Sequence, residues 1–129
     1  MRYLGIDYGE KRVGISISDE EGKFAFPKCV LPNNKQLAGN VRDICSDNKI
    51  KAVVLGESNN FQNEPNEIMK KILPFKTELE RILNIPIFLE PEFMTSAEAS
   101  RIAGEDDMLD ARAAALILQS FLDKEVSKN

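Results

Sequence analysis

The sequence predicts an α/β protein in which helices cover both faces of a five-stranded mixed sheet. Two segments near the N-terminus alternate between polar and apolar residues, with the period of two that strands have. Later segments with helical spacing alternate with short strand-like ones, and KAVVLG (51–56) is almost wholly apolar, as a parallel strand buried on both faces is. A chain of 129 residues is long enough for one domain with its own core.

The first third of the chain predicts three consecutive strands. RYLGIDY (2–8) and RVGISIS (12–18) flank the polar link GEK and predict a hairpin. DEEG follows as a turn, in which Gly22 permits a positive φ. In the third strand, KFAFPKCVL (23–31), Pro27 has no N–H for a sheet ladder, so we expect an edge strand or a bulge there. We expect the first strand at the centre of the sheet and the third near an edge.

The rest of the chain predicts four helices and two strands. In order, they are a helix over about 34–48, the strand 51–56, a helix over 66–83, the strand IPIFLE (85–90), a short helix over 95–104 and a last helix over about 107–124. Pro74 is expected to kink or split the second helix. We therefore expect a single domain over residues 1–126, with residues 127–129 frayed.

Composition narrows the chemistry that the chain could perform. It contains no histidine, which excludes Ser-His-Asp and Cys-His nucleophiles and HExxH zinc sites. Hydrolysis would then depend on carboxylates, lysines, metals or a cofactor. The net charge of −4 gives no overall basic field. Two cysteines without a CxxC pattern, and no long apolar run, predict a cytoplasmic protein with reduced thiols and no membrane partner.

Three acidic residues stand where ligand sites form in α/β proteins. Asp7 ends the first strand, Glu92 follows the fifth, and Asp110 lies in the first turn of the last helix, in line with its apolar stripe. The carboxyl ends of parallel strands meet at one edge of the sheet, where ligands bind. Because clustered carboxylates repel one another, such a group favours a divalent cation with a preference for oxygen ligands, Mg²⁺ or Mn²⁺.

Each of these acids also has a purely structural interpretation. Asp7 could begin a hairpin turn, Asp110 could favour a helix start capped by Asp107, and Glu92 could be a solvated loop acid. Lys11 and Arg12, beside Asp7, could hold a phosphate or could form a charged hairpin tip. Spacing along the chain does not decide between these interpretations.

The pattern G-I-D-Y-G-x-K-R-x-G, followed by I-S-x-S-D, resembles the opening of the YqgF/RuvX family. The resemblance continues through VVLG, T-S-A-E-A and D-A-R-A-A-A-L-I-L-Q-S-F-L, and so covers nearly the whole chain. It implies a ribonuclease-H-like fold and metal-dependent phosphodiester hydrolysis. Members of the family are described as Holliday junction resolvases or as nucleases that mature the 5′ end of pre-16S ribosomal RNA.

The resemblance implies specific roles for individual residues. Asp7 matches the first-strand aspartate and Asp110 the aspartate that opens the last helix, while Glu92 matches the glutamate of a D-E-R-x-T-T stretch when Thr95 and Ser96 are aligned with its two threonines. These three would be the catalytic carboxylates and the ligands of Mg²⁺ or Mn²⁺, and Lys11 and Arg12 would bind nucleic acid.

The chain departs from the family pattern around the second carboxylate. It has Pro91-Glu92-Phe93 in place of Asp-Glu-Arg, and Gly56-Glu57-Ser58 in place of Gly-Leu-Pro. Glu57 and Glu90 therefore stay open as alternatives to Glu92.

The function predicted from the sequence is a metal-dependent nuclease acting on structured nucleic acid. RNA is preferred on the resemblance alone, and junction DNA is the alternative. A non-catalytic nucleic-acid-binding module and an actin-like ATP-binding fragment are the competing classes. The ATPase class needs two such domains, which 129 residues do not supply. We expect a monomer or a weak homodimer.

Overall fold

A computed structural model describes residues 1–58, 67–92 and 108–127. Within these ranges the elements, in chain order, are β1 (Arg2–Tyr8), β2 (Arg12–Ser18), β3 (Ala25–Pro32), α1 (Leu37–Asp47), β4 (Ile50–Ser58), α2 (Met69–Leu83), β5 (Ile87–Glu92) and α3 (Leu109–Ser127). The helix expected over 95–104 lies outside the described residues. None of the helices described is long and apolar enough to cross a membrane.

The strands form one sheet in the order β3-β2-β1-β4-β5. β1 pairs antiparallel with β2, and β2 with β3, because short turns join them. β4 is parallel to both β1 and β5 because helical crossovers lead into β4 and out of it. The predicted five-stranded mixed sheet is confirmed, with β1 in its centre and β3 at its edge.

Strand β3 accommodates its proline through both of the devices that the sequence predicts. The strand is at the edge of the sheet, and its pairing shifts between Ile15, which faces Cys29, and Ser16, which faces Pro27. Lys28 is the extra residue of this irregularity. The turn that leads into the strand has Gly22 at φ +71°, as expected.

Successive side chains of the strands point to opposite faces of the sheet and pack in two separate hydrophobic cores, one on each face. Val53 and Leu55 of β4 pack in a cluster with residues of α1 and α2, whereas Val54 packs with α3. Helices therefore cover both faces of the sheet, as predicted. Burial raises the pKa of the Cys45 thiol in the first core to about 11, so this cysteine stays protonated.

Helix α2 corrects one prediction from the sequence. It runs from Met69 to Leu83 with Pro74 inside it, so of the two expected effects of this proline the split is wrong, and the kink stays a prediction. The proline is exposed, and so is Lys70, whose carbonyl loses its helical hydrogen bond. Water can satisfy that carbonyl. The buried stripe of the helix lies on its other side, and it holds the element together.

Helix α3 lies unusually close to the sheet because glycines lie beneath it. A Cβ atom at Gly14 would overlap the carbonyl oxygen of Asp110, and one at Gly5 would lie 3.0 Å from the carbonyl oxygen of Ala114. The hydroxyl of Ser16 donates a hydrogen bond of 2.9 Å to that same Ala114 carbonyl. Ala114 is itself small, so the helix and the glycines of β1 and β2 together permit this close approach.

Candidate active site

Asp7 lies near the carboxyl end of the central strand, on the face covered by α3. Leu4 and Ile6 point into the core that α1 and α2 share, so strand alternation turns Gly5 and Asp7 to the other face. Asp7 is only 7% exposed. Because β1 is paired on both sides, its carboxylate is attached to one of the stiffest parts of the sheet.

Asp110 reaches the same place from the last helix. It lies in the first turn of α3 and is 9% exposed. Its backbone rests on Gly14, and Gly14 is the residue of β2 that faces Asp7 across the sheet. Facing Cα atoms in an antiparallel pair are about 4.5–5.5 Å apart. The structure therefore brings two of the three predicted carboxylates to one end of the sheet, and both are buried.

Arg12 supplies a positive charge at this place. Its Nε lies 3.2 Å from Oδ2 of Asp110, in an ion pair whose two side chains are 63% and 12% exposed, respectively. The sequence suggested a phosphate contact for this arginine and no partner within the protein. Lys11, the other candidate for nucleic-acid binding, is exposed in the link between β1 and β2.

The link that carries Lys11 is held from below by a residue that sequence reasoning missed. The Asn33 side-chain amide donates a 2.7 Å hydrogen bond to the carbonyl of Gly9, and the Asn33 backbone N–H donates one of 3.0 Å to the carbonyl of Lys11. A Cβ atom on Gly9 would overlap the carbonyl oxygen of Arg12. These contacts fix the start of β2. The one indication of this role for Asn33 in the sequence is that a polar residue directly follows β3.

The second carboxylate is less completely described. Glu92 ends β5, and its backbone is paired with Ser58 of β4, while its side chain lies outside the described part of the structure. Glu57 is two residues after Leu55 on β4, so its side chain points to the same face of the sheet as Leu55. That face is covered by α1 and α2 and is opposite to the face of Asp7. Backbone alternation thus argues against Glu57 as a ligand beside Asp7.

Glu90 has a different environment. It is 3% exposed and accepts hydrogen bonds from Lys124 Nζ at 2.6 Å and from Ser120 Oγ at 2.9 Å. Ser120 is ten residues beyond Asp110 on the same helix, about 15 Å along its axis. Glu90 therefore joins the later turns of α3 to β5, at a place remote from Asp110 along the helix.

The donor set suits a hard divalent cation. In the described ranges 1–58, 67–92 and 108–127, no group of three or more histidine, cysteine, aspartate or glutamate side chains has the geometry of a metal site. Even without a third ligand, Asp7 and Asp110 supply carboxylate oxygens, the ligand type that Mg²⁺ and Mn²⁺ prefer. That a guanidinium already lies on one of them indicates that this end of the sheet attracts cations.

A cleft of about 400 Å³ opens on the opposite face of the same sheet end. Tyr8 lines it and packs against Phe75, with ring centroids 5.1 Å apart. Lys70 and Lys71 also line the cleft, and each has an acidic neighbour, Glu67 at 3.1 Å and Glu10 at 3.8 Å, respectively. The cleft is separate from the carboxylates.

The fold defines a class of protein, the proteins with a ribonuclease-H-like fold. Two solved resolvases have the same fold at low sequence identity. RuvC of Thermus thermophilus, solved with a Holliday junction substrate, matches 98% of this chain and 96% of its own at 16% identity and a TM-score of 0.62. The fowlpox virus Holliday junction resolvase matches 96% of this chain and 99% of its own at 16% identity and a TM-score of 0.57.

The chain belongs to the RuvX family, whose sequence model, described as Holliday junction resolvase, matches residues 1–124. A relative in Lawsonia intracellularis, which bears the name "Putative pre-16S rRNA nuclease", is 33% identical over 138 aligned positions, covering 99% of this chain and 97% of the relative. The family resemblance and the nuclease class predicted from the sequence are confirmed.

Proposed function

We propose that this chain is a metal-dependent nuclease that cleaves structured RNA, and that its substrate is the 5′ end of pre-16S ribosomal RNA. One observation carries the metal-dependent mechanism. Two aspartates, Asp7 and Asp110, are both buried at the carboxyl end of the central strand, where Gly14 faces the first and contacts the backbone of the second. Two carboxylates that are both buried from solvent raise the free energy of the folded protein unless a cation neutralises them.

Asp7, Asp110 and Glu92 would hold the metal, which we propose to be Mg²⁺ or Mn²⁺. Resolvases of this kind generally use divalent ions. Such an ion, when bound, supplies an activated water and stabilises the leaving oxygen. Asp7 contributes rigidity, because a ligand on a central strand holds its position to within the tolerance that catalysis requires. Lys11 and Arg12 bind the phosphates that flank the scissile bond.

The RNA substrate rests on the relatives. The name of the Lawsonia protein refers to pre-16S ribosomal RNA. The family description and the two resolvase structures refer to Holliday junctions, and they favour junction DNA as the second candidate. For the RNA reaction we place the protein in the cytoplasm, in ribosome biogenesis, as a monomer or weak homodimer.

A cleavage assay with two substrates separates these candidates. The purified chain is incubated with an RNA spanning the 5′ end of 16S ribosomal RNA and with a four-way DNA junction, each with Mg²⁺, Mn²⁺ or a chelator. We expect cleavage of the RNA with either metal and none with the chelator. Cleavage of the junction alone would establish the second candidate, and binding without cleavage would identify a non-catalytic module.

The proposed ligands are tested with the same assay. Asp7→Asn and Asp110→Asn should each abolish cleavage. Asp43→Asn is the matched control, because Asp43 is an exposed aspartate on α1 that forms an ion pair with Arg42 at 3.6 Å. For the middle position, Glu92→Gln should abolish cleavage and Glu57→Gln should not. The opposite result would transfer that role to Glu57.

A further inference from the structure

Arg12 is attached to a carboxylate that the proposed function needs for a metal. Its Nε is 3.2 Å from Oδ2 of Asp110, whose side chain is only 12% exposed. The guanidinium and a divalent cation would both use oxygen atoms of this one carboxylate. They therefore compete for the site.

The position of Arg12 follows from the fold. Arg12 and Gly14 are two residues apart on β2 and lie on the same face of the sheet, and Gly14 supports the first turn of α3. Asn33 holds the preceding link through the carbonyls of Gly9 and Lys11. The start of β2 is thus fixed, whereas the arginine side chain itself is 63% exposed.

Because the Arg12 end of the ion pair is exposed to solvent, another cation can replace the guanidinium at little cost in free energy. An ion pair with a solvated partner contributes little net stability, because water solvates the released guanidinium almost as well. The Asp110 carboxylate, by contrast, is poorly solvated, so it is still stabilised by a positive charge nearby. A divalent ion offers it twice the charge and direct coordination.

We propose that Arg12 is a placeholder for the metal: its guanidinium neutralises Asp110 in the metal-free protein, moves away when a divalent cation binds, and is then available to a substrate phosphate. This inference rests on the proposed function, since it requires Asp110 to be a metal ligand. It assigns to Arg12 two successive partners, first a carboxylate of the protein and then a phosphate. The arginine would engage the phosphate only after the metal has bound.

Calorimetric titration with Mn²⁺ in the absence of nucleic acid tests the competition directly. We expect Arg12→Gln to bind Mn²⁺ about three- to tenfold more tightly than the wild type, because it removes both the competing cation and a positive charge near the ion. Arg42→Gln is the matched control. Arg42 is an exposed arginine on α1, paired with Asp43, and its replacement removes the same charge on the other side of the sheet. Its affinity should equal that of the wild type.

Unchanged or weaker Mn²⁺ binding by Arg12→Gln would overturn the placeholder. Asp7→Asn separates this failure from failure of the proposed function. If the wild type binds Mn²⁺, Asp7→Asn does not, and Arg12→Gln matches the wild type, the metal site stands and the placeholder alone is wrong. If the wild type binds no Mn²⁺, both are wrong.

Side-chain NMR tests the displacement itself. The Nε–H signal of Arg12, assigned by its disappearance in Arg12→Gln, should shift when Mg²⁺ is added, because the contact with Asp110 is lost. The Nε–H signal of Arg42 should not move. An Arg12 signal that stays constant while Mg²⁺ saturates the site would show that the guanidinium remains on Asp110, and would refute the proposal.

Discussion

Replacing Asp7 with asparagine is the sharpest test of why a carboxylate lies on the central strand. The change keeps the size and one oxygen of the side chain and removes its charge. If Asp7 only shaped a turn, asparagine would serve almost equally well. If it binds a metal, a neutral amide is a much poorer ligand for Mg²⁺ or Mn²⁺.

The size of the expected effect on stability follows from the geometry. Gly14 faces Asp7 and also touches the backbone of Asp110, so we take a separation of about 5–8 Å for the two carboxylates. At that separation, with an effective dielectric constant of about 20, two negative charges repel by about 2–3 kcal/mol. Arg12 offsets part of this repulsion through its contact with Asp110. The metal-free variant should therefore be as stable as the wild type, or more stable by up to about 2 kcal/mol.

Two measurements on the same protein preparations decide the matter. Urea unfolding in a chelator gives the metal-free stability of the wild type and of Asp7→Asn. Cleavage of the pre-16S RNA fragment across a range of Mn²⁺ concentrations gives the activity, which should fall by more than the roughly 10- to 100-fold typical of residues that only support a metal ligand. A variant that cleaves like the wild type at every Mn²⁺ concentration would make the aspartate structural and would remove the main support for the proposed site.

Three further predictions concern residues that stabilise the fold. Gly14→Ala should lose about 3 kcal/mol or more in urea unfolding, because its Cβ atom would overlap the backbone of Asp110. Gly39→Ala on α1, whose Cβ would make an ordinary contact with the Arg42 side chain, should gain up to about 1 kcal/mol; equal effects would contradict the close packing. Glu90→Gln should lower stability by about 1–3 kcal/mol through its buried hydrogen bonds and leave the Mn²⁺ affinity unchanged, and a loss of that affinity would return this residue to the metal site. Asp19 accepts hydrogen bonds from the backbone N–H groups of the turn before β3, which lower its pKa below 3.8, so its carboxylate stabilises the fold above that pH and less as the pH falls through the lowered pKa. The difference between the urea midpoints of wild type and Asp19→Asn should accordingly shrink as the pH falls below 3.8, and a constant difference would exclude the charge as its cause.

Local pattern was enough to predict most of the fold. Strand alternation and helical spacing depend on neighbouring residues in the chain, so the hairpin, the edge strand with its irregularity at Pro27 and the helical stripes could all be predicted. Pro74 does not split α2, because tertiary packing outweighs the local effect of the proline. Buried side chains on the other side of α2 hold the helix together across the missing hydrogen bond.

The site divides in the same way. The sequence suggested Asp7 and Asp110 as candidates, since one ends a strand and the other begins a helix, and the resemblance to a family gave them roles. It left their distance open. The proximity of the two depends on Gly14, which faces one aspartate across a sheet and supports the backbone of the other. Gly14 closes the G-I-D-Y-G-x-K-R-x-G pattern, but the alternation of β2 does not indicate which helix packs against it.

What the sequence by itself determined is the set of elements and the chemical types of the candidate residues, because both are properties of short stretches of chain. The partners of those residues were decided only in the tertiary structure. Arg12 lies on Asp110 and Glu90 on Lys124, over separations of 98 and 34 residues, respectively. Pairs so distant in the chain meet only when strand register and helix docking are complete. A spacing rule of two or 3.6 residues therefore carries no information about them.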